Sequence, residues 1–428
     1  MLFSKLNEDE FELNNEFEHK GIIYKEVRIK NRGCRCECGT FHKNVKEYKR
    51  KEILHSIYAH QKCIVIYHHR RFICPKCGAT HMEDNPFSSD SNKISDQTIL
   101  NVLTDLKKYN ETFRKVAERY HLTTRGVMKL FDTYVNITRL NMPKVLCIDE
   151  IYFSRKRRKK YVLILLNFRN RAIVNVLKDR DKHTLSAFLS RLEPKERSNT
   201  QYVCIDMTDN YRDVISWRLP DATIVADSFH VMKHVTEAVD SVRKRVMRHF
   251  ENDKSSDEYY LLKYRDHLLY ETGVDYNFKR NSHFKRFISE SQMLDMITSL
   301  DDDLYGAWGY YHQYRRFNDS SFPSFDEALN ALKEIINDFY LSDIPEFISL
   351  ASTLNNWKIE IANSFDLFDG VRVSNGPIEG RNSLIKKILK LANGYSNFSR
   401  FRNRIMYCLN KFSTHSFQIH SNSCVCVK

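Results

Sequence analysis

The spacing of apolar and polar positions divides the chain into stretches of different character. Residues 31–90 are short, polar and strand-like, as in "CIVIYHHRRFICPKCGATH". Helical spacing begins at "SDQTILNVLTDLKKY", behind a Ser/Asp start, and continues through "TFRKVAERYHLTTRGVMKLFDTYV". There Val116, Ala117 and Tyr120 share an apolar face, "HLTT" supplies a turn, and "RGVMKLFDTYV" forms a second helix. Near residue 143 the period changes. "KVLCIDEIYF", "KKYVLILLNF" and "RAIVNVLKDRD" have the continuous apolar character of buried strands, and "KHTLSAFLSRL" that of an amphipathic helix. "TQYVCIDMTDNYR" is a fourth strand, and "DATIVADSFHVMKHV" a fifth that runs into a helix. Residues 236–370 read as almost entirely helical, with few Gly or Pro.

Three strands in series followed by alternating helices and strands is the pattern of a ribonuclease H-like mixed sheet. In that fold the strand order is 3-2-1-4-5, so the fourth strand lies beside the first. The first strand ends at Asp149 and the fourth at Asp206. Neighbouring strands are about 4.8 Å apart, which brings the two carboxylates within reach of shared divalent ions. Asp227 ends the fifth strand and is the rival second aspartate, one strand further from Asp149; with His230 and Lys233 it is expected in the outer sphere of the site. Glu150 should face away from Asp149 because side chains alternate along a strand. The stretch "SNGPIEGRNSLIKK" starts a helix with turn chemistry and a single acidic residue, Glu379. A carboxylate there suits a helix N-terminus, and the same residue can supply the third acidic group that metal-assisted chemistry on this fold requires.

Charge adds a partner. The 428 residues carry 68 Lys+Arg against 54 Asp+Glu, a formal net charge of +14, which favours a polyanion. The acidic, polar start does not resemble a leader, and no apolar run reaches membrane-spanning length, so a cytoplasmic, nucleoid-associated protein with no membrane partner is expected. Near the N-terminus five of the eleven cysteines fall in two clusters, Cys34, Cys36 and Cys38, then Cys74 and Cys77. Two clusters of thiols in such a protein point to zinc rather than to disulfides. Cys74 and Cys77 form a regular knuckle followed by Gly78. Upstream the choice is among Cys34, Cys36 and Cys38; Gly39 follows Cys38 as Gly78 follows Cys77, which favours Cys36 and Cys38. The two short helices that follow fit a helix-turn-helix with residues 123–133 as the reading helix, where Thr124, Arg125 and Lys129 are exposed early. Arg70 and Arg71 are expected to add phosphate contacts, as are Arg155, Lys156, Arg157 and Arg158 at a hairpin turn and Lys386 and Lys387 on the closing helix.

The residues now resemble a known family, the DDE transposases of the ISL-three insertion sequences. "RRFICPKCG" looks like its zinc-finger end, "CIDEIYFSRKRRKKYVLILLNF" like its first acidic motif, "VCIDMTDNY" like its second, and "VADSFHVMKHV" like its Asp-x-Phe-His segment. "SNGPIEGRNSLIKKILKLANGYSNFSRFRNRI" resembles its glutamate helix and C-terminal signature. The resemblance implies that Asp149, Asp206 and Glu379 are a catalytic triad holding Mg²⁺ or Mn²⁺. It implies that the chain cleaves transposon ends and joins the 3′-OH to target DNA, as a homodimer or higher assembly on double-stranded DNA. The alternative is a zinc-finger and helix-turn-helix regulator with an inert core. The expected architecture is multidomain, combining α+β and α/β parts. It comprises a zinc-ribbon domain over 1–90, a helix-turn-helix domain over 91–142, a ribonuclease H-like core over 143–235 and 371–414, a helical insertion over 236–370 and a tail over 415–428. A fragment ending near 142 should then suffice to bind the terminal repeats.

Overall fold

The computed structural model describes residues 10–55, 61–89, 93–153 and 160–418. Arg155, Lys156, Arg157 and Arg158 lie outside the described residues. The chain forms two compact units, one from Met1–Arg139 with Ser383–Lys428, the other from Leu140–Asn382.

The first unit contains β1 (Phe11–His19), β2 (Ile22–Ile29), β3 (Cys34–Arg35), β4 (Phe41–His42), β5 (Val45–Leu54), β6 (Lys62–Ile73) and β7 (Thr80–Met82). Lys20 and Gly21 both take positive φ in the two-residue turn that joins β1 to β2. The main sheet runs β1-β2-β6-β5, with β7 also on β6 and the β2–β6 pair parallel. Its small core is Val27, Ile53, Val65, Tyr67 and Phe87. Arg70, on β6, is 3% exposed. Its guanidinium meets Glu83 at 2.6 Å and donates to the Ile29 carbonyl, and its backbone N–H donates to Glu83 at 3.0 Å. The expected phosphate contact by Arg70 is therefore corrected: the side chain is committed inside the sheet. Arg71 is half-exposed and pairs with Glu47 at 3.1 Å.

Three helices follow, α1 (Asp96–Leu106), α2 (Phe113–Arg119) and α3 (Thr124–Tyr134). Each starts where a hydroxyl can cap it: Ser95, Thr112 and Thr123 accept from the N–H groups of Thr98, Lys115 and Gly126. Residues 120–123 make the turn between α2 and α3, with His121 at φ 54°. Arg125 and Lys129 are exposed on α3, and Thr124 is half-buried. The last helix, Phe398–Leu409, belongs to this same unit. On it, buried Arg404 donates to the carbonyls of Lys108 (2.9 Å) and Glu111 (2.6 Å), and Tyr407 to that of Leu103 (3.0 Å). Arg400 pairs with Asp132. Residues 1–142 thus lack a helix that these three pack against, which the expected minimal fragment did not include.

The second unit holds β8 (Val145–Tyr152), β9 (Tyr161–Asn167), β10 (Ile173–Leu177), β11 (Tyr202–Ile205) and β12 (Thr223–Ala226). Their order is β10-β9-β8-β11-β12, with β8, β11 and β12 mutually parallel and β9 antiparallel to β8 and β10. Helices α4 (Lys182–Ser190), α5 (Pro194–Arg197) and α6 (Asp209–Arg218) connect them, and α7 (Ser228–Arg248) leaves β12. The stretch beyond α7 carries α8 (Asp257–Tyr264), α9 (Glu290–Thr298), α10 (Asp302–Asp319), α11 (Phe325–Tyr340), α12 (Pro345–Asn356) and α13 (Lys358–Asn363). Two small ribbons interrupt it, β13 (Lys279–Asn281) with β14 (Arg286–Ile288), and β15 (Leu367–Phe368) with β16 (Val371–Arg372). These helices share one apolar core with the sheet, from Leu146 and Ile148 through Val235 to Phe339 and Leu354. The expected closing segment 371–414 is divided: α14 (Gly376–Leu391) begins in the second unit and ends in the first, and α15 (Phe398–Leu409) lies wholly in the first. Among the described residues no helix is long and apolar enough to cross a membrane.

Arg70→Ala should lower stability by about 2 kcal/mol, because it removes the buried guanidinium from the half-buried Glu83 carboxylate and leaves it only the Tyr67 hydroxyl and the residue-70 N–H. Urea unfolding of the two proteins measures this; a loss under half a kcal/mol would show that Glu83 finds another partner.

Candidate active site and cysteine cluster

The parallel strands set three aspartates in one row. Cys204 of β11 faces Cys147 of β8, so Asp206, two residues on, is level with Asp149. Ile205 faces Ala226 of β12, so Asp206 is equally level with Asp227. Asp206 is the middle member. Asp227 is 1% exposed, and both of its oxygens are engaged: one accepts from the Asn375 N–H at 2.9 Å, the other from His230 Nδ1 at 2.8 Å. His230 Nδ1 also lies 3.0 Å from Asp206 Oδ1. Asp206, Asp227 and His230 form one of the two groups of potential metal ligands, among the described residues, whose ligand atoms all lie within 4.8 Å of one another. Asp149 and Glu379 are not in that group.

Helix α14 supplies the opposite wall. Asn375, just before its first residue, donates from Nδ2 to the Ile148 carbonyl and to Asp206 Oδ1, each at 3.3 Å. Asn382 donates from Nδ2 to Asp149 Oδ2, while the Glu150 N–H bonds to Asp149 Oδ1 at 2.6 Å. Glu379 lies between the two asparagines at spacings of four and three, so all three share a helix face. Glu379 is half-buried in the first turn, and its N–H donates to the Asn375 carbonyl at 3.1 Å. The side-chain carbonyl oxygens of Asn375 and Asn382 are buried and have no hydrogen-bond partner. Buried acceptors of this kind call for a donor or a cation. The carboxylates and these oxygens together make a hard oxygen-donor set, which fits Mg²⁺ or Mn²⁺.

Crowding is visible in the proton affinities. Burial pushes Asp206 up to about 7, and the nearby Asp149 charge adds to it. Asp149 is also raised, chiefly by burial. His230 is raised, first by its hydrogen bond to Asp227. Glu150 turns elsewhere, as alternation requires: it accepts from Tyr211 Oη at 2.5 Å and pairs with Arg180 at 2.7 Å. With Asp206, Tyr161 and Asp179 these residues line an open cleft of about 650 Å³. Lys233 is exposed one turn along α7 from His230.

The cysteines form the second group. Cys36, Cys38, Cys74 and Cys77 have all their sulfurs within 4.8 Å of one another. The Cys36–Cys77 and Cys38–Cys74 sulfurs are 3.4 and 3.6 Å apart. A tetrahedral ion with bonds of about 2.3 Å needs sulfurs about 3.8 Å apart, so the cluster fits zinc. The two turns match despite their unequal spacing: Gly39 N–H bonds to the Cys36 carbonyl and Gly78 N–H to the Cys74 carbonyl, both glycines at positive φ. The Thr40 hydroxyl and N–H hold Cys38 down at about 6. Backbone N–H groups, first that of Cys77, lower Cys74. Burial and the neighbouring thiols carry Cys36 up to about 12 despite the Cys38 N–H. Cys34 lies outside the cluster, 3.5 Å from His42 Nε2, and His81 Nε2 is 3.3 Å from Cys36 Sγ.

Comparison with known proteins decides the family. The model of the DDE transposases of the ISL-three type, described as "Transposase", matches residues 146–405, more than half of the chain. The chain belongs to this family. It is similar to the transposase for insertion sequence element IS1557 of Mycobacterium tuberculosis, in strains CDC 1551 / Oshkosh and ATCC 25618 / H37Rv. Identity is 26% over 282 residues, 62% of this chain and 59% of the relative. It is also 25% identical over 252 residues to the transposase for insertion sequence element IS1001 of Bordetella parapertussis, 56% of this chain and 59% of the relative. The chain thus spans about three-fifths of the length of the curated relatives it matches.

In this DDE transposase chain, Asn375 and Asn382 were not anticipated. Their signal was present: they stand at −4 and +3 from Glu379, on the face turned to the strands. The aspartate row also makes a testable statement about stability. Asp206 binds its proton more tightly folded, at about 7, than an unfolded aspartate does at about 3.9. The metal-free protein therefore loses stability from this group as pH rises from about 4 through 7. Asp206→Asn should melt with the unaltered protein near pH 4 and be on the order of 1–3 kcal/mol more stable at pH 8. Thermal unfolding across that range in chelator is the measurement; equal stability at pH 8 would contradict the crowding.

Proposed function

We propose that this chain is a metal-dependent transposase that binds the terminal inverted repeats of an insertion sequence, cleaves the DNA ends and joins the freed 3′-OH to target DNA. The reading rests above all on Asp149 and Asp206 being level on adjacent strands, opposite a helix face that carries Glu379 between two asparagines with orphaned buried oxygens. In it the core is ribonuclease H-like. Two divalent ions bound there would activate the attacking oxygen and stabilise the leaving one. Asp149, Asp206 and Glu379 hold the charge that binds them. Asn382 fixes Asp149, and Asn375 ties Asp206 to Asp227 and to the β8 backbone. Asp227 orients His230, which can meet a phosphate oxygen in place of Asp206 once that carboxylate is neutralised. Lys233, Lys386 and Lys387 are exposed cations suited to the DNA backbone.

In the same reading Cys36, Cys38, Cys74 and Cys77 bind one zinc ion that fixes the N-terminal turns. Helix α3 reads bases through Thr124, Arg125 and Lys129, in a helix-turn-helix, and Arg71 adds a phosphate contact. A regulator with an inert core is disfavoured by the raised Asp149 and Asp206 carboxyls. Carboxylates crowded in this way cost stability and serve no purpose without a cation.

Asp149→Ala, Asp206→Ala and Glu379→Ala should each reduce cleavage of labelled transposon ends in Mg²⁺ by roughly a thousandfold or more, a loss of several kcal/mol at the transition state. Binding of those ends in a gel shift should stay within a few-fold. Normal cleavage by Asp206→Ala with a dead Asp227→Ala would transfer the central role to Asp227. Freshly purified protein should contain about one zinc per chain by elemental analysis, and Cys74→Ala should contain none; a zinc-free unaltered protein would remove that assignment.

A further inference from the structure

The ribbon β13–β14 has two unlike faces. Asn281 and Ile288 point inward and are buried, and Ile288 joins the apolar core of the second unit. Arg280 and Phe287 are a cross-strand pair and so share the outward face. Phe287 is 66% exposed, and Phe278 and Tyr276, which precede the ribbon at two-residue steps, are 61% and 75% exposed. Single exposed aromatics are ordinary, but three within twelve residues of one ribbon are more than folding requires.

The cations around them are also unassigned. Lys279 pairs with Asp275 at 2.7 Å. Arg280, Lys285 and Arg286 have no ion-pair partner among the described residues, although all three are exposed. Arg286 sits over the Phe284 ring at 5.7 Å, which holds the turn of the ribbon together. The turn of the ribbon is firm: His283 stacks on Tyr260 at 3.9 Å and bonds to Asp257 at 2.9 Å. A ribbon anchored at its turn, with exposed apolar rings on and before its strands and unpaired guanidinium and ammonium groups near them in the chain, matches unstacked bases joined by phosphates.

We propose that this ribbon binds unpaired nucleotides of DNA, with Phe278 and Phe287 stacking on bases and Arg280 contacting the adjoining phosphate. The inference rests on the reading of the chain as a transposase that acts on DNA ends. It adds a site that neither the aspartate row nor the N-terminal unit provides.

The test uses the full chain, a DNA duplex and the same duplex carrying a three-nucleotide bubble, with affinities from fluorescence anisotropy. Phe278→Ala/Phe287→Ala should bind the bubble about tenfold more weakly and the duplex unchanged. Arg280→Ala should lower the salt slope for the bubble by about one. All three side chains are exposed, so the variants should melt like the unaltered protein. As an independent readout, Phe287→Trp should show quenched emission when the bubble DNA is added. Equal weakening on both DNAs would reduce the ribbon to a phosphate contact and overturn the stacking. Unchanged affinity for the bubble would overturn the site, as would a change of oligomeric state in the double variant without DNA, which would make the face an interface between copies. If the unaltered protein cleaves its ends while the double variant binds the bubble normally, this inference fails and the transposase reading stands. If it binds the bubble through these rings but never cleaves, the reverse holds.

Discussion

Mutual repulsion among the carboxylates at the ends of three parallel strands is the constraint around which the second unit is arranged. Two such charges about 5 Å apart cost on the order of 3 kcal/mol at an effective dielectric near 20. The protein meets that cost with groups drawn from distant parts of the chain: an imidazole from the start of α7, two amides and an N–H from α14, and the backbone of β8 itself. The buried strands beneath cannot relax, because Val203, Cys204 and Ile205 are fully enclosed between sheet neighbours and helices. The site is consequently held by packing with its carboxyls close together, so that without a cation they bind protons more tightly than free carboxyls do. That is the condition under which a cation is bound strongly.

Much of this was legible in the sequence because buried parallel strands are written as continuous apolar runs. Asp206 and Asp227 are conspicuous as the first polar residues after such runs, and Asp149 as the break inside one. The order of the five strands follows from the same runs. Asn375 and Asn382 were harder to see: Asn375 reads first as turn chemistry and Asn382 as an ordinary helix residue, and only their spacing from Glu379 sets them on its face. Strands β1 and β2 were missed because β1, "FELNNEFEH", has its period-two apolar set of Phe11, Leu13 and Phe17 interrupted at Asn15 and is so acidic and exposed that it reads as a polar start. Arg70 was misread for a related reason: nothing local distinguishes it from Arg71, and only the fold shows which of two adjacent side chains faces Glu83.

The cysteine cluster illustrates how local geometry can absorb an irregular motif. Cys36 and Cys38 are one residue closer than Cys74 and Cys77, yet both turns close with a glycine N–H on the first cysteine's carbonyl. What the shorter spacing removes in loop length, the Thr40 contacts restore in orientation, by bonding to Cys38 and to the Cys36 N–H. The match of glycines in the sequence was therefore a better guide than the spacing of the thiols.

The position of α15 has a consequence for how the molecule is made. Arg404 bonds to the Lys108 carbonyl across 296 positions, and Tyr407 to that of Leu103 across 304. During synthesis the helices between residues 96 and 134 emerge early but lack this buttress until residue 409 has been translated. At about 5–20 residues per second that delay is tens of seconds, a long interval for an apolar helix face. The surface of Phe113, Phe131 and Val127 that later meets the closing helix is meanwhile open to chaperones and to neighbouring nascent chains. A product truncated before α15 would carry that exposed apolar surface permanently.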